Sequence, residues 1–514
     1  MLVHIIGAKC IGIDAVPVTV EVEMTAGIGI HLVGLADVAV KESLLRTITA
    51  LDSVSFQVPG KKIVINLAPA DLRKSGSGYD LPIAVGIIAA SGRMELPGIA
   101  DNLVMGELGL NSEVRPIPGA LPMAELALRS GLKGVILPYE SALEAVDLGG
   151  PDIYGVRNLE EVLRILRGEP CEDLLVRAGA CSSSVEKDAE IPDFADIVGQ
   201  ENAKRALEIA AAGNHNIILL GSPGSGKSSL AKALPGILPP MSPEESLLTS
   251  KIYSVSGKGS SRRGLVRTRP FRAPHCSASL SAMIGGGGGD GIVPGEVSLA
   301  QGGVLFLDEF IQMPKSVVEA LRAPLEDRKV SISRLHNKLE FPASFMLVAA
   351  ANPCPCGYYG DSDRCVCTPV QRLNYISRLS GPIMDRIDLQ VRMGVTSSSD
   401  LLEGRRGEPS AAVAARVGKA RVIQAERFAG EGIFTNAEMN NRQIERHCPL
   451  DAESREFMRK LMESLGLSMR AFFRVIRVAR TIADLAGEGA IRPQHLAEAA
   501  GYRFLDKAPG YQNL

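Results

Sequence analysis

The segment Gly221-Ser222-Pro223-Gly224-Ser225-Gly226-Lys227-Ser228 constrains this chain more than any other. It fits the pattern G-x-x-x-x-G-K-[ST]. An apolar run, Ile217 to Leu220, precedes it, and a helix-forming Ser-Leu-Ala-Lys-Ala-Leu follows. That strand–loop–helix context is what gives the pattern meaning. The glycines let the backbone curl until its N–H groups face a phosphate chain, and the following helix N-terminus adds partial positive charge. Lys227 is then expected on the β- and γ-phosphates, with Ser228 on a Mg²⁺ ion. The cofactors implied are ATP and Mg²⁺, and the fold implied is a parallel sheet covered by helices.

Two further apolar runs supply partners. Val304-Leu-Phe-Leu ends in Asp308-Glu309, and Phe345 to Ala349 leads through Ala350 and Ala351 to Asn352. Ligands of open α/β sheets bind where the strands end. Asp308 is the expected second holder of Mg²⁺, and Glu309 the group that orients and deprotonates the attacking water. Asn352 has two readings: a polar contact to the γ-phosphate or lytic water, or a turn former before Pro353.

A chain of 514 residues is too long for one core, and its pattern changes along its length. Residues 1–170 read as a mixed α+β domain. Val18 to Glu23 alternates as a half-buried strand, Ile63 to Leu67 reads as another, Leu81 to Ala90 as a buried helix and Leu159 to Leu166 as an amphipathic one. Residues 171–192 are small, polar and aperiodic, as in a linker. Residues 193–395 alternate strand and helix. Residues 396–514 read as helical, with Ala411–Phe428, Ala452–Leu465 and Arg470–Ala486 as helices. The net charge of −2 excludes a polycation, so any contact with nucleic acid must come from local basic patches. Leu81 to Ala90 is about half the length of a membrane span, and MLVHIIGAKC lacks the marks of a signal peptide. A soluble, cytoplasmic protein without membrane contact is expected.

An ordered set of motifs then points to a family. It comprises Asp196-Ile-Val-Gly-Gln200, the phosphate loop, Arg269-Pro-Phe-Arg-Ala-Pro-His275, Gly295-Glu-Val-Ser-Leu-Ala, Leu-Asp-Glu309, Ala-Asn-Pro-Cys-Pro-Cys-Gly357 and Gly381-Pro-Ile-Met-Asp-Arg386-Ile-Asp-Leu. This set resembles the magnesium-chelatase-like AAA+ proteins of the YifB/ComM family over nearly the whole chain. The resemblance implies an AAA+ core with a helical lid, assembly into a homo-oligomer, expected to be a hexamer, and work on branched or single-stranded DNA. The function expected is branch migration in natural transformation or recombination. The other readings are a chelatase-like or chaperone-like motor acting on protein, and an ATP-dependent protease.

The resemblance also assigns residues. Arg386 falls where an arginine finger reaches the neighbouring subunit's γ-phosphate; a structural Asp–Arg pair is the competing reading. Arg470 falls at a sensor position on the lid, with Arg474 one helical turn on as its rival. Val330 to Arg334 and Lys338 to Pro342 form an expected hairpin around Leu335-His336-Asn337. Arg334, His336 and Lys338 would then form a basic tip against DNA, unless the hairpin is an ordinary solvated turn. The segment Lys251 to Arg272, basic with Gly and Ser between, has the composition of a phosphate-tracking loop.

The first domain resembles the Lon-type protease fold, in which a Ser is activated by a Lys. Here the matching segment Lys74-Ser-Gly-Ser-Gly-Tyr-Asp80 puts Gly78 at the Ser position, and Pro118-Gly-Ala-Leu121 has no Lys. A non-proteolytic scaffold is expected. Lastly, Cys354, Cys356, Cys365 and Cys367 crowd one segment, suited either to a tetrahedral Zn²⁺ or to reduced structural thiols. His275-Cys276 is expected to shape a pore loop rather than bind metal.

Overall fold

A computed structural model describes the chain except for 36, 178–190, 260–262, 288–290, 335–336, 361–363, 380, 395–405 and 507–514. Two sheets organise it. The first has seven strands in the order Gly29–Val33, Lys62–Ala68, Asp14–Thr25, Leu2–Ile11, Asn102–Val104, Gly134–Pro138 and Asp152–Val156. The long hairpin Leu2–Ile11/Asp14–Thr25 pairs antiparallel from Leu2↔Glu23 to Ile11↔Asp14, and the last three strands run parallel. In Asp14–Thr25, Val18, Val20 and Val22 point inward while Glu21 and Glu23 point away, which is the alternation read from the sequence. The helix Asp80–Ala90 is buried at every position, so it lies inside this domain. Gly86 is required there: a Cβ would fall 2.4 Å from Cγ2 of Val22.

Residues 171–177, at the start of the expected linker, pack against this first unit. Leu174 is buried, and Leu175 bridges to Tyr154. Residues 178–190 of that segment lie outside the described residues.

The second sheet has five strands in the order Phe271–Arg272, Val304–Leu307, Met346–Ala351, Ile217–Gly221 and Leu389–Met393, every pair parallel. Ile217–Gly221 comes first in the chain yet sits between the last two strands. The crevice beside its C-terminal end is therefore the switch point at which such sheets bind ligands. Its five residues are all buried, as are all six of Met346–Ala351, which explains why these runs are apolar throughout rather than alternating.

The C-terminal part is helical. Ser410–Arg427, Ala452–Leu465 and Met469–Leu485 form within a residue of the expected helices, and Asn441–His447 and Pro493–Gly501 complete the set. A buried polar cluster ties this part to the sheet. His215 shares a hydrogen bond with Thr481 at 2.8 Å and faces Asp388 at 3.3 Å. Burial opposes ionisation of Asp388, but the hydrogen bond from His215 and the charge of Arg474 hold its carboxyl well below the usual carboxylate range. Among the described residues, no helix is long and apolar enough to cross a membrane.

The basic segment Lys251 to Arg272 is not a free phosphate-tracking loop. It begins inside the helix Pro243–Val255, which starts at a capping box of Ser242 and Glu245. Each described Lys or Arg in it has a partner. Lys251 is buried between Asp14 and Glu125 of the first unit, at 2.6 and 2.7 Å, and Lys258 and Arg272 share Glu296. Arg269 pairs with Glu245, Arg267 with Asp147, and Arg263 donates to the carbonyl of Arg177. The segment is basic in composition; what composition does not reveal is that Asp14, Glu125 and Asp147, far away in the chain, pair with Lys251 and Arg267.

Candidate functional site

The phosphate loop leaves the strand Ile217–Gly221 and enters the helix Lys227–Ala233. Gly224 and Gly226 sit at φ +80° and +88°, a region that residues with a Cβ avoid, so the two glycines make the curl possible. The Lys227 ammonium points back into the loop. It donates to the carbonyls of Gly221 and Ser222 at 2.7 and 2.9 Å and to Oδ1 of Asn352 at 3.4 Å. Burial lowers its pKa and the nearby Asp308 raises it, with burial the larger effect.

Ser228 Oγ donates to Oδ2 of Asp308 at 2.9 Å. A hydroxyl and a carboxylate held together in this way can share one small hard cation, the role expected of them with Mg²⁺. Glu309 follows in the left-handed region, at φ +49°, and its N–H returns to Oδ1 of Asp308 at 2.9 Å. That turn fixes Asp308 in place and swings the Glu309 carboxyl outward. Asn352 ends the strand Met346–Ala351 beside Lys227, so three strand ends bring Lys227, Ser228, Asp308, Glu309 and Asn352 to one edge of the sheet.

Cys276 lies here too. Its Sγ is 3.6 Å from Oε2 of Glu309, and His275 Nδ1 meets Ser277 Oγ at 2.7 Å. The His275-Cys276 pair, expected in a pore loop, thus stands beside the candidate catalytic carboxylate. No spacing in the sequence signals this contact, because it joins residues in the segments that follow two different strands.

Arg386 and Arg470 lie elsewhere. Asn216, just before the strand Ile217–Gly221, donates to the Arg386 carbonyl at 2.9 Å. The phosphate loop begins at the other end of that strand, roughly 15 Å away at about 3.3 Å per residue. The Arg386 guanidinium pairs with Glu326 and donates to the Pro382 carbonyl at 2.6 Å. Arg470 reaches the adjacent Asp385 at 2.9 Å. Both arginines, with Arg328, Arg442 and Arg474, line a cleft of about 870 Å³ that contains neither Lys227 nor Glu309. The two candidate sensor arginines differ in exposure. The Arg474 side chain is 13% exposed and held on Asp388, whereas that of Arg470 is 75% exposed and free to reach outward from its surface pair.

The expected hairpin forms from Lys329–Arg334 and Asn337–Pro342, with Arg334 opposite Asn337. Asn337 therefore belongs to a strand rather than to the turn. Lys338 is exposed and pairs with Glu340 at 3.4 Å. Arg334 closes the first strand, and His336 lies outside the described residues.

In the first unit, the corner around Gly78 is apolar. A Cβ on Gly78 would meet Cε of Met105 at 3.1 Å, and Leu121 is buried. Ser77 Oγ binds Glu107, and the buried Lys74 spends its amine on the Pro69 carbonyl.

The four cysteines converge. Their sulfurs all lie within 4.8 Å of one another, with Cys354 3.3 Å from Cys356 and 3.8 Å from Cys365. Backbone N–H groups, first that of Tyr358, favour the Cys356 thiolate, while burial disfavours that of Cys354.

Comparison with known proteins bears on the whole chain. The family description "Magnesium chelatase, subunit ChlI" matches 193–401, a second for the same subunit matches 20–141, and one for its C-terminal part matches 407–503. Competence protein ComM of Haemophilus influenzae is 43% identical over 500 residues, covering 96% of each chain. This chain belongs to the magnesium-chelatase-like AAA+ family of ComM and YifB. The YifB protein of Escherichia coli is 40% identical to it over 504 residues, covering 97% of this chain and 96% of the relative. Lon protease 2 of Bacillus subtilis is 33% identical over 138 residues, 26% of this chain and 24% of that protein. The matches run through both sheets and the helical part of this chain.

Proposed function

We propose that this chain is the ATP-hydrolysing subunit of a ring motor that moves on DNA. The observation that carries the reading is the convergence of Lys227, the Ser228–Asp308 pair, Glu309 and Asn352 at the switch point of an all-parallel sheet. In this reading the loop Gly221, Ser222, Pro223, Gly224, Ser225 and Gly226 wraps the phosphates and Lys227 bridges β and γ. Ser228 and Asp308 hold Mg²⁺. Glu309 takes a proton from the attacking water while Asn352 orients it, and Mg²⁺ neutralises charge on the phosphate oxygens. Arg386 and Arg470 then serve a neighbour's γ-phosphate, since their own loop lies at the opposite end of the strand Ile217–Gly221. A ring, a hexamer in this reading, follows from that need.

The units proposed are 1–170, a non-proteolytic Lon-type domain; 171–192, a linker; 193–395, the AAA+ core; and 396–514, a helical lid. The setting proposed is the cytoplasm. Similarity to a competence protein supports DNA as the substrate, with branch migration in transformation or recombination as the task and Arg334, His336 and Lys338 as contacts. We also read the four-cysteine cluster as a Zn²⁺ site. The deciding experiment measures ATP hydrolysis with forked DNA and with unfolded protein. Stimulation by DNA supports the reading, whereas stimulation by unfolded protein alone transfers it to a remodelling motor. Peptide cleavage would transfer it to a protease.

A further inference from the structure

The cysteine cluster and the phosphate loop touch. Cys354 lies two residues beyond Asn352, whose side chain meets Lys227 at 3.4 Å. Between the first two cysteines and the last two, the chain turns at Gly357, which sits at φ +87° with its N–H on the Cys354 carbonyl at 3.0 Å. This glycine is pressed against the phosphate loop. A Cβ there would fall 2.8 and 2.9 Å from Cδ and Cγ of Pro223, and 3.9 Å from Cγ of Asn352. Any side chain at 357 would have to displace the loop that wraps the phosphates.

The other pair of thiols comes from the far side of the turn. Cys365 and Cys367 lead into the helix Pro369–Ile376, whose start is fixed by a capping box of Thr368 and Gln371. From that helix Arg372 stacks its guanidinium over the Tyr359 ring at 4.0 Å. The two pairs thus tie a strand end to a helix start. The separations of 3.3, 3.8 and 3.7 Å among Cys354, Cys356 and Cys365 suit four thiolates around one ion. With Zn–S bonds of about 2.3 Å, the edge of a tetrahedron is about 3.8 Å. Disulfides would require about 2.05 Å.

We propose that a thiolate-bound Zn²⁺ acts as a clasp on the ATP site. By drawing the two Cys pairs together it holds Gly357 against Pro223 and Asn352 beside Lys227, so that metal occupancy sets nucleotide affinity. The step is ligand exchange without a change of oxidation state: the ion gains four sulfur ligands and sheds water, and thiols that were protonated release their protons to solvent. The proposal rests on the zinc reading above.

The test uses the full-length reduced protein. Metal content is measured by mass spectrometry and ATP affinity with a fluorescent analogue, before and after zinc is stripped by a strong chelator and again after Zn²⁺ is restored. The expected result is about one Zn²⁺ per chain. Stripping weakens nucleotide binding by about tenfold, the loss expected if one charge-assisted contact is misplaced, and added Zn²⁺ restores it. Gly357→Ala keeps all four thiols and the metal yet loses affinity to a similar degree, because its Cβ crowds Pro223 and strains a backbone held at φ +87°. Cys365→Ser with Cys367→Ser loses both. Metal near zero in the parent protein overturns the zinc reading and the clasp with it. Zinc present, with affinity unchanged after stripping and in Gly357→Ala, overturns the clasp and leaves the zinc site standing. Circular dichroism of each variant separates loss of the contact from loss of fold.

Discussion

The edge around Lys227 and the corner around Gly78 invite comparison, since each occupies a place where related folds keep reactive groups. Around Lys227, an ammonium, two carboxylates, a hydroxyl and an amide converge from three strand ends, and the glycines beside them leave room for a ligand. Around Gly78, Met105 and Ile117 fill the space with apolar atoms, and two polar groups of the same segment are paired: Ser77 with Glu107, Lys74 with a carbonyl. A polar group buried without a partner costs on the order of 1–3 kcal/mol. The first arrangement gathers polar groups at an open edge; in the second, Ser77 and Lys74 are engaged within the domain.

The sharpest way to break this contrast is at Lys227. Lys227→Ala should abolish detectable ATP binding in calorimetry, while Glu309→Gln should keep binding and lose turnover by about 10²–10⁴-fold. Tight binding by the alanine variant would remove the phosphate loop from the site. Next in size is Arg386. Arg386→Ala should bind ATP almost normally and hydrolyse it roughly 10³-fold or more slowly. Mixed with Lys227→Ala, it should regain part of the activity, since a mixed ring pairs an intact loop with a neighbour's intact finger. If subunits are seen to mix and activity stays absent, the arginine acts within its own chain.

A smaller effect is expected at the seam between the two units. Burial pushes the Glu144 carboxyl up to about 7, against a partial opposing effect from the Ser254 hydroxyl. The folded chain thus holds a proton there that an unfolded chain releases nearer pH 4.5. Its stabilising contribution is complete below about pH 4.5, declines as pH rises towards 7, and is flat above. Urea midpoints followed across that range should show a slope that Glu144→Gln removes, roughly 3 kcal/mol in all. An equal slope in parent and variant would assign it to another group. The smallest effect belongs to Gly78's corner: Ser75→Ala and Ser77→Ala should leave a casein-cleavage assay at background, as in the parent. Cleavage lost with either substitution would reverse the comparison.

How much of this could be read from sequence depended on the range of the interaction. The phosphate loop, the strand before Asp308 and the helix Ala452–Leu465 were legible because each is defined by residues close together in the chain. The alternation in Asp14–Thr25 was legible for the same reason. The partners of the basic segment were not: Lys251 and Asp14 are 237 positions apart, and composition carries no record of such a pairing. Cys276 beside Glu309, and Gly357 against Pro223, were likewise invisible, since each contact joins loops that follow neighbouring strands. The pairing of Arg474 with Asp388, 86 positions away, was equally beyond the sequence.

The grip on the helix Pro243–Val255 has a bearing on where the molecule can be divided. The chain offers a tempting place to cut near 190. Yet Lys251 lies between Asp14 and Glu125, Gly119 and Leu121 donate to Ser254, and Ile13 packs against the patch containing Ile252 and Tyr253. A fragment begun at 193 would bare an apolar strip and leave a lysine without the acids that surround it. The covalent joint and the mechanical joint are in different places. The contacts of the helix Pro243–Val255 bind it to the first unit as well as to the core.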